Sequence, residues 1–258
     1  MKPAVFDLLR PATLAEALGA AQAGATFLAG GQSLGAMLNL RVATPDKLVA
    51  IAHLPELAGA GDGPEAITLG AAVTHAAIED GRVPDLPGGL LARIAAGIAY
   101  RAVRTRGTIG GSLCHADPAA DWPCTLLALD AVALTEDAAG GGRAVPLDRF
   151  LAGAFRTALK PGEMLRAVRI PRPEAAARFG YYKACRKPGE FAHAMAAVLE
   201  RPGQGGLRVV LGALGGRPKL ATSAEDAAAA LAALDLDPVS RHMHLVALRR
   251  AFDRLRAA

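Results

Sequence analysis

The chain has 258 residues, 52% of them hydrophobic, enough to bury a sizeable core and to divide into two domains rather than one. Aromatic residues are only 4%, and the formal charge of +5 comes from arginines scattered along the chain, which argues against a nucleic-acid binder with stacking platforms or a basic block. Cys114, Cys124 and Cys185 are odd in number and lack C-x-x-C spacing, which argues against a disulfide framework, a zinc site or a self-contained iron–sulfur ligand set.

The amino terminus carries no apolar signal core, and no stretch approaches the roughly eighteen apolar residues of a membrane span, so a cytoplasmic protein without membrane segments is expected. Thr13 with Glu16 forms a capping-box pattern ahead of Leu14, Ala17, Leu18 and Ala21 on one helical face, and Gly24 is the expected stop. A short strand over 25–29 follows, broken by Gly30-Gly31. Ser33 is placed to cap a helix that begins near Leu34 and carries Met37, Leu38 and Leu40. Lys47 to Ile51 reads as the next strand, giving a compact β-α-β-like unit with the glycine pair at its first strand-to-helix turn.

Ala66 to Val73 is again strand-like, and Leu90 to Arg106 is the longest helical pattern, with Ile94, Ile98 and Val103 inside. The run TIGGSLCHADPAADWP, residues 108–123, is rich in Gly, Pro and Asp and reads as an ordered loop against a ligand. A helix restarts over Thr125–Leu129, a strand follows over Ala131–Thr135, and Gly140-Gly141-Gly142 turns into Arg143–Leu147. Leu165–Ile170 is a further strand, after which a charged, alanine-rich loop marks a domain boundary. Phe179–Arg186, Phe191–Leu199 and Leu207–Leu214 are three strand candidates, the last two separated by a turn at Gly203–Gly206. Ser223 and Asp226 cap an alanine-rich helix, and the final helix places Leu245, Leu248, Phe252 and Leu255 on one face. The arginines on its other face read as a solvated helix back more readily than as a docking surface.

Paired glycines between an apolar strand and a helix let bare backbone approach a ligand and aim N–H groups at phosphate oxygens. One such pair is weak, because turns use Gly-Gly constantly; AGGQSL (29–34) and TIGGS (108–112) together suggest a dinucleotide held from two sides. Neither fits G-x-G-x-x-G, and no G-x-x-x-x-G-K-[ST] occurs, which disfavours Rossmann and P-loop sites. His115, Asp117 and Asp121, with Cys114 and Cys124 nearby, match no familiar metal-ligand spacing, and an acidic ordered loop accounts for them. No Ser-His-Asp or Cys-His arrangement is evident, so no catalytic acid, base or nucleophile is assigned.

AGGQSL, TIGGS, the extension HADPAADWP, the strand EMLRAVRIP and YYKACRKPGEFA resemble the FAD-binding medium subunit of molybdenum hydroxylases, the group of xanthine dehydrogenase and aerobic carbon monoxide dehydrogenase. The resemblance covers nearly the whole chain. It implies an α+β fold: a two-part FAD-binding domain of the vanillyl-alcohol oxidase and MurB type over 1–175, with subdomains of about 1–55 and 56–175. A small α+β carboxy-terminal domain of the CO dehydrogenase flavoprotein type over 176–258, with a three-stranded antiparallel sheet, would follow.

Residue by residue, Leu28, Ala29, Gly30, Gly31, Gln32, Ser33 and Leu34 match the family's first pyrophosphate segment, and Thr108, Gly110, Gly111 and Ser112 the second. Asp121 matches an acid that hydrogen-bonds the cofactor, Leu165 an apolar contact to the flavin, and Lys183 a lysine facing it. Main-chain donors of both segments would hold the diphosphate, helped by the hydroxyls of Ser33, Thr108 and Ser112, and an ammonium near the ring would favour negative charge there. With no histidine in AGGQSL, the FAD is expected to be non-covalent. A branched side chain at Gly30 is expected to block the diphosphate while sparing the fold.

The implied role is electron transfer without action on substrate alone. Electrons would arrive from 2Fe-2S clusters on a small partner subunit and leave through FAD to an external acceptor, with the molybdenum cofactor on a large partner, in a dimer of heterotrimers. A stand-alone flavin oxidoreductase and a non-catalytic nucleotide-binding module are the alternatives. Ser112 stands where the family commonly has asparagine or aspartate, and Glu190 where it usually has aspartate. The carboxy-terminal part is shorter than typical, and the cysteine-rich insertion of some relatives is lacking.

Overall fold

The structure is a computed structural model and describes residues 2–203 and 206–257. Three short strands open it: β1 (Asp7–Leu9), β2 (Thr26–Leu28) and β3 (Lys47–Ala50), in the order β1-β3-β2 and all parallel. Parallel neighbours need crossovers, supplied by α1 (Leu14–Gln22) and α2 (Leu34–Asn39), and α3 (Pro55–Ala58) leads out. Thr13 Oγ1 caps α1 by accepting from Glu16 N, and Gly24, at φ +88°, ends it. The Glu16 carboxylate accepts from Ala12 N, one residue before the position that a capping box uses. Leu14, Ala17 and Leu18 pack on Val49, Ile51, Leu54, Leu57 and Met164.

The second sheet is antiparallel, in the order β4-β5-β10-β6-β7. Its strands are β4 (Ala60–Asp62), β5 (Ala66–Gly70), β6 (Val132–Glu136), β7 (Gly142–Pro146) and β10 (Met164–Pro171). Between β5 and β6 run α4 (His75–Glu79), α5 (Leu90–Ala96), α6 (Arg101–Arg104), α7 (Ile109–His115) and α8 (Asp121–Ala128). Helix α9 (Leu147–Phe150) and the ribbon β8 (Leu151–Gly153) with β9 (Arg156–Thr157) join β7 to β10.

Two expectations fail here. The helix expected over 90–106 breaks between α5 and α6, because Ala99 takes φ +44° and donates its N–H to Gly189 O at 2.9 Å. The Arg104 guanidinium holds that corner by donating to the carbonyls of Ile98 and Ala99. The loop expected over 108–123 is largely helix. Thr108 Oγ1 caps α7 by accepting from Gly111 N at 3.0 Å, and Pro123 lies in the first turn of α8, where a missing N–H costs no intrahelical bond. Every residue of α8 is buried.

The third sheet, β11 (Arg178–Ala184), β12 (Ala194–Arg201), β13 (Gly206–Gly212) and β14 (Lys219–Ala221), is antiparallel in chain order. It has four strands rather than the three expected; β14 is a three-residue edge strand after Pro218. Residues 204 and 205 of the expected Gly203–Gly206 turn lie outside the described residues. Strand β12 shows no polar alternation because both its faces are covered, as a central strand between layers requires. Met195, Ala197 and Val210 join the core around α8. Ala196, Val198 and Leu211 face α10 (Ala224–Ala232) and α11 (Pro238–Arg256). Ser223 caps α10 as expected. The buried line of α11 is His244, Ala247, Leu248, Ala251 and Leu255, so Leu245 lies exposed instead of on the packed face.

Candidate cofactor site

The first glycine segment leaves β2 at Leu28 and enters α2 at Leu34. Gly31 takes φ +70°, a left-handed turn that glycine adopts without steric cost. Among the described residues, the backbone amides of Gly31, Gln32, Ser33 and Leu34 donate to no protein acceptor. Ser33 does not cap α2, contrary to expectation: its backbone is already helical, and its hydroxyl has no partner among the described residues. The Gln32 side chain folds back to donate to Gly30 O at 3.1 Å. Four adjacent N–H groups and a hydroxyl, all without a partner among the described residues, form a donor set suited to an anion.

The second segment lies directly against the first. A Cβ on Gly30 would fall 1.9 Å from Arg106 O and 2.9 Å from Gly107 Cα, so Gly30 is the one residue type that lets the chains touch. A Cβ on Gly111 would fall 4.0 Å from Ala29 Cβ. The two glycine segments therefore converge, but they are not equivalent. Ile109 N donates to Val73 O at 3.0 Å, Gly110 N to Ala71 O at 3.1 Å, Gly111 N to Thr108 Oγ1, and Ser112 N to Thr108 O. The expectation that both segments offer main-chain donors is thus corrected for 109–112. Gly110 is required by packing, since its Cβ would fall 2.5 Å from that of Ala71, and Thr108 is buried as a helix cap. The Ser112 hydroxyl stays unbonded among the described residues and half-buried.

Asp121 and Lys183 meet each other. Asp121 opens α8, where a carboxylate suits the positive helix end, and Lys183 Nζ reaches its carboxylate at 3.0 Å while donating to Gly97 O at 2.8 Å. Tyr181, two residues before Lys183 and so on the same face of β11, donates its hydroxyl to Asp121 Oδ1 at 2.7 Å. Burial pushes the Asp121 carboxyl up, against the opposing pull of the Lys183 charge and the Tyr181 hydrogen bond. Burial, and next the Asp121 charge, hold the Tyr181 phenol well above its usual value. Leu165 lies on β10 inside the main core, and its neighbour Arg166 accepts from Ala71 N, which ties that strand to the segment under Gly110.

The family described as FAD binding domain in molybdopterin dehydrogenase matches residues 4–173. The chain belongs to that family. It is similar to the carbon monoxide dehydrogenase medium chain of Hydrogenophaga pseudoflava, at 35% identity over 209 residues, 78% of this chain and 71% of that one. The caffeine dehydrogenase subunit beta of Pseudomonas sp. (strain CBB1) is 33% identical over 202 residues, covering 77% of this chain and 68% of the relative. A solved structure of carbon monoxide dehydrogenase from Hydrogenophaga pseudoflava superposes with a TM-score of 0.92 at 30% identity, over 100% of this chain and 99% of that chain. Quinoline 2-oxidoreductase from Pseudomonas putida 86 gives 0.87 at 28% identity, over 100% and 99%.

The chain is therefore an FAD-binding medium subunit of the molybdenum hydroxylase family and an oxidoreductase subunit. No helix among the described residues is long and apolar enough to cross a membrane. In this medium subunit, sequence reasoning missed the Arg106–Gly107 backbone that backs Gly30, and Tyr181 and Gly97, which hold Asp121 and Lys183. Tyr181 was legible from its two-residue spacing to Lys183 on a strand. Gly97 was hidden by the helix expected to run through it.

Proposed function

We propose that this subunit holds FAD non-covalently and passes electrons from 2Fe-2S clusters of a small partner subunit to an external acceptor. The observation that carries this reading is the row of amides at Gly31–Leu34 that find no acceptor among the described residues, closed on one side by the segment 109–112, whose amides are already bonded to Val73, Ala71 and Thr108. The donors present fit an anion: amides and the Ser33 hydroxyl would take the diphosphate oxygens, with Leu28 and Ala29 beside them, Gly111 and Ser112 on the facing segment and Gly110 packed behind it against Ala71. Gly30 and Thr108 act one step back, by close packing and by capping. Asp121, Leu165 and Lys183 would serve the ring end, where Lys183 is fixed in place by its ion pair with Asp121 and its hydrogen bond to Gly97 O.

Flavin supplies two-electron and one-electron chemistry in one group, and this chain supplies its position and electrostatics. The relatives' names, medium chains and subunits of dehydrogenases, support partner subunits beside this one; a molybdenum cofactor on a large partner, 2Fe-2S clusters on a small one and a dimer of heterotrimers complete the proposed arrangement. A cytoplasmic location and a division into 1–175 and 176–258 belong to the same proposal.

Expressed with its genomic neighbours and purified, the chain is expected to show flavin absorption, to release its flavin on acid precipitation, and to bring molybdenum and iron with it. A colourless complex overturns the cofactor assignment. Flavin on a chain that reduces acceptors without partners supports a stand-alone oxidoreductase instead.

A further inference from the structure

Behind the glycine segments lies a buried pair that the proposed function does not use. Trp122 is fully buried, and its Nε1–H donates to His75 Nδ1 at 3.1 Å; His75 is itself 5% exposed. An indole N–H can only donate, so Nδ1 is unprotonated and the neutral imidazole carries its hydrogen on Nε2. Burial, and then the charge of Arg104, lower the His75 pKa to about 4, which keeps the ring neutral near pH 7.

The His75 ring is the backing of Gly107. A Cβ on Gly107 would stand 2.9 Å from His75 Cδ2 and 3.0 Å from Nε2, and His75 N donates to Gly107 O at 2.9 Å. On the other side, Gly107 meets Gly30. Gly30, Gly107, His75 and Trp122 thus form a continuous stack that no added carbon could enter without displacing a neighbour. Trp122 in turn follows Asp121, which Lys183 and Tyr181 fix at the other end of the site.

The geometry points to His75 as a positioning residue of the FAD site: locked by Trp122, it presses the Gly107 turn against Gly30 and so sets the spacing of the two glycine segments. This rests on the FAD reading above. Without the lock, the 106–108 turn gains conformers that binding must remove, so the loss appears in cofactor affinity as well as in stability.

The test uses the deflavinated full-length chain, titrated with FAD by flavin fluorescence and with ADP as a probe of the diphosphate end, with melting temperatures measured alongside. His75→Leu removes the acceptor, His75→Asn restores one at the Nδ1 position, and Trp122→Phe removes the donor from the other side. We expect His75→Leu and Trp122→Phe each to weaken FAD and ADP by roughly ten-fold, the size of one lost hydrogen bond. Their combination should be no worse than either alone, His75→Asn should recover most of the affinity, and the band shape of bound flavin should be preserved. Equal losses in the Asn and Leu variants, additive losses in the double variant, or an unchanged affinity in Trp122→Phe overturn the proposal. A wild-type chain that binds neither ligand overturns the cofactor reading and this inference with it.

Discussion

AGGQSL and TIGGS look like two copies of one device, yet their backbones are occupied in opposite ways. Among the described residues, the first leaves the amides of Gly31 to Leu34 without a protein acceptor, while the second returns each amide from Ile109 to Ser112 to Val73, Ala71 or Thr108. Gly31 is needed for its left-handed turn, whereas Gly30 and Gly110 are needed because backbone or Cβ atoms press where their side chains would be. A glycine pair therefore announces close approach, and only an accounting of the N–H groups tells whether a ligand or the protein itself is approached.

Gly30→Ala is the strongest way to break this contrast. The new Cβ meets a backbone oxygen that cannot rotate away, so the variant should lose several kcal/mol, about 3 or more, and take up no FAD. The expectation that a substitution there would spare the fold is thereby corrected. A normal melting temperature in Gly30→Ala would show that the two segments are not in contact.

Acid probes the second segment through His75. Its folded pKa of about 4 lies below the unfolded 6.5, so the unfolded chain takes the proton first. The associated stability is complete above pH 6.5 and is lost as pH falls towards 4, by about 3 kcal/mol in all. Denaturation series at several pH values should show that slope in the wild type and not in His75→Asn; parallel slopes would argue against a buried neutral imidazole.

Thr108→Val removes the cap of α7 and should cost about 1–2 kcal/mol by chemical denaturation. A larger loss of FAD affinity than of stability would mean that the Thr108 hydroxyl serves the ligand rather than the helix. Gly35→Ala marks the small end. No protein atom outside its own neighbours and helix backbone lies within 4 Å of its new Cβ, and it sits inside α2, so a gain of about 0.5–1 kcal/mol in stability is expected by chemical denaturation.

Much of this architecture was legible because it is local. The cap at Thr13, the stop at Gly24, the strands around β2, β3, β6, β10 and β11, and the Ser223 cap all follow from spacing of apolar and capping residues. Several failures share one physical cause, a partner far along the chain: Gly189 breaks the helix at Ala99, Ala71 and Val73 take up the amides that TIGGS would offer, and Leu28's neighbours alone could not reveal that Gly30 would rest on Arg106. Two are local instead, the Thr108 cap that starts α7 and the helical backbone of Ser33 that leaves α2 uncapped. Resemblance points to Asp121 and Lys183 one by one, and only folding shows that each is the other's partner.

Amide hydrogen exchange on this chain, before and after FAD is added, separates the roles of the two glycine segments. Gly31 to Leu34 should exchange freely without FAD and become protected with it, while 109–112 should be protected throughout and change little. Protection gained equally at both segments, or none gained at 31–34, would contradict the division of labour between them.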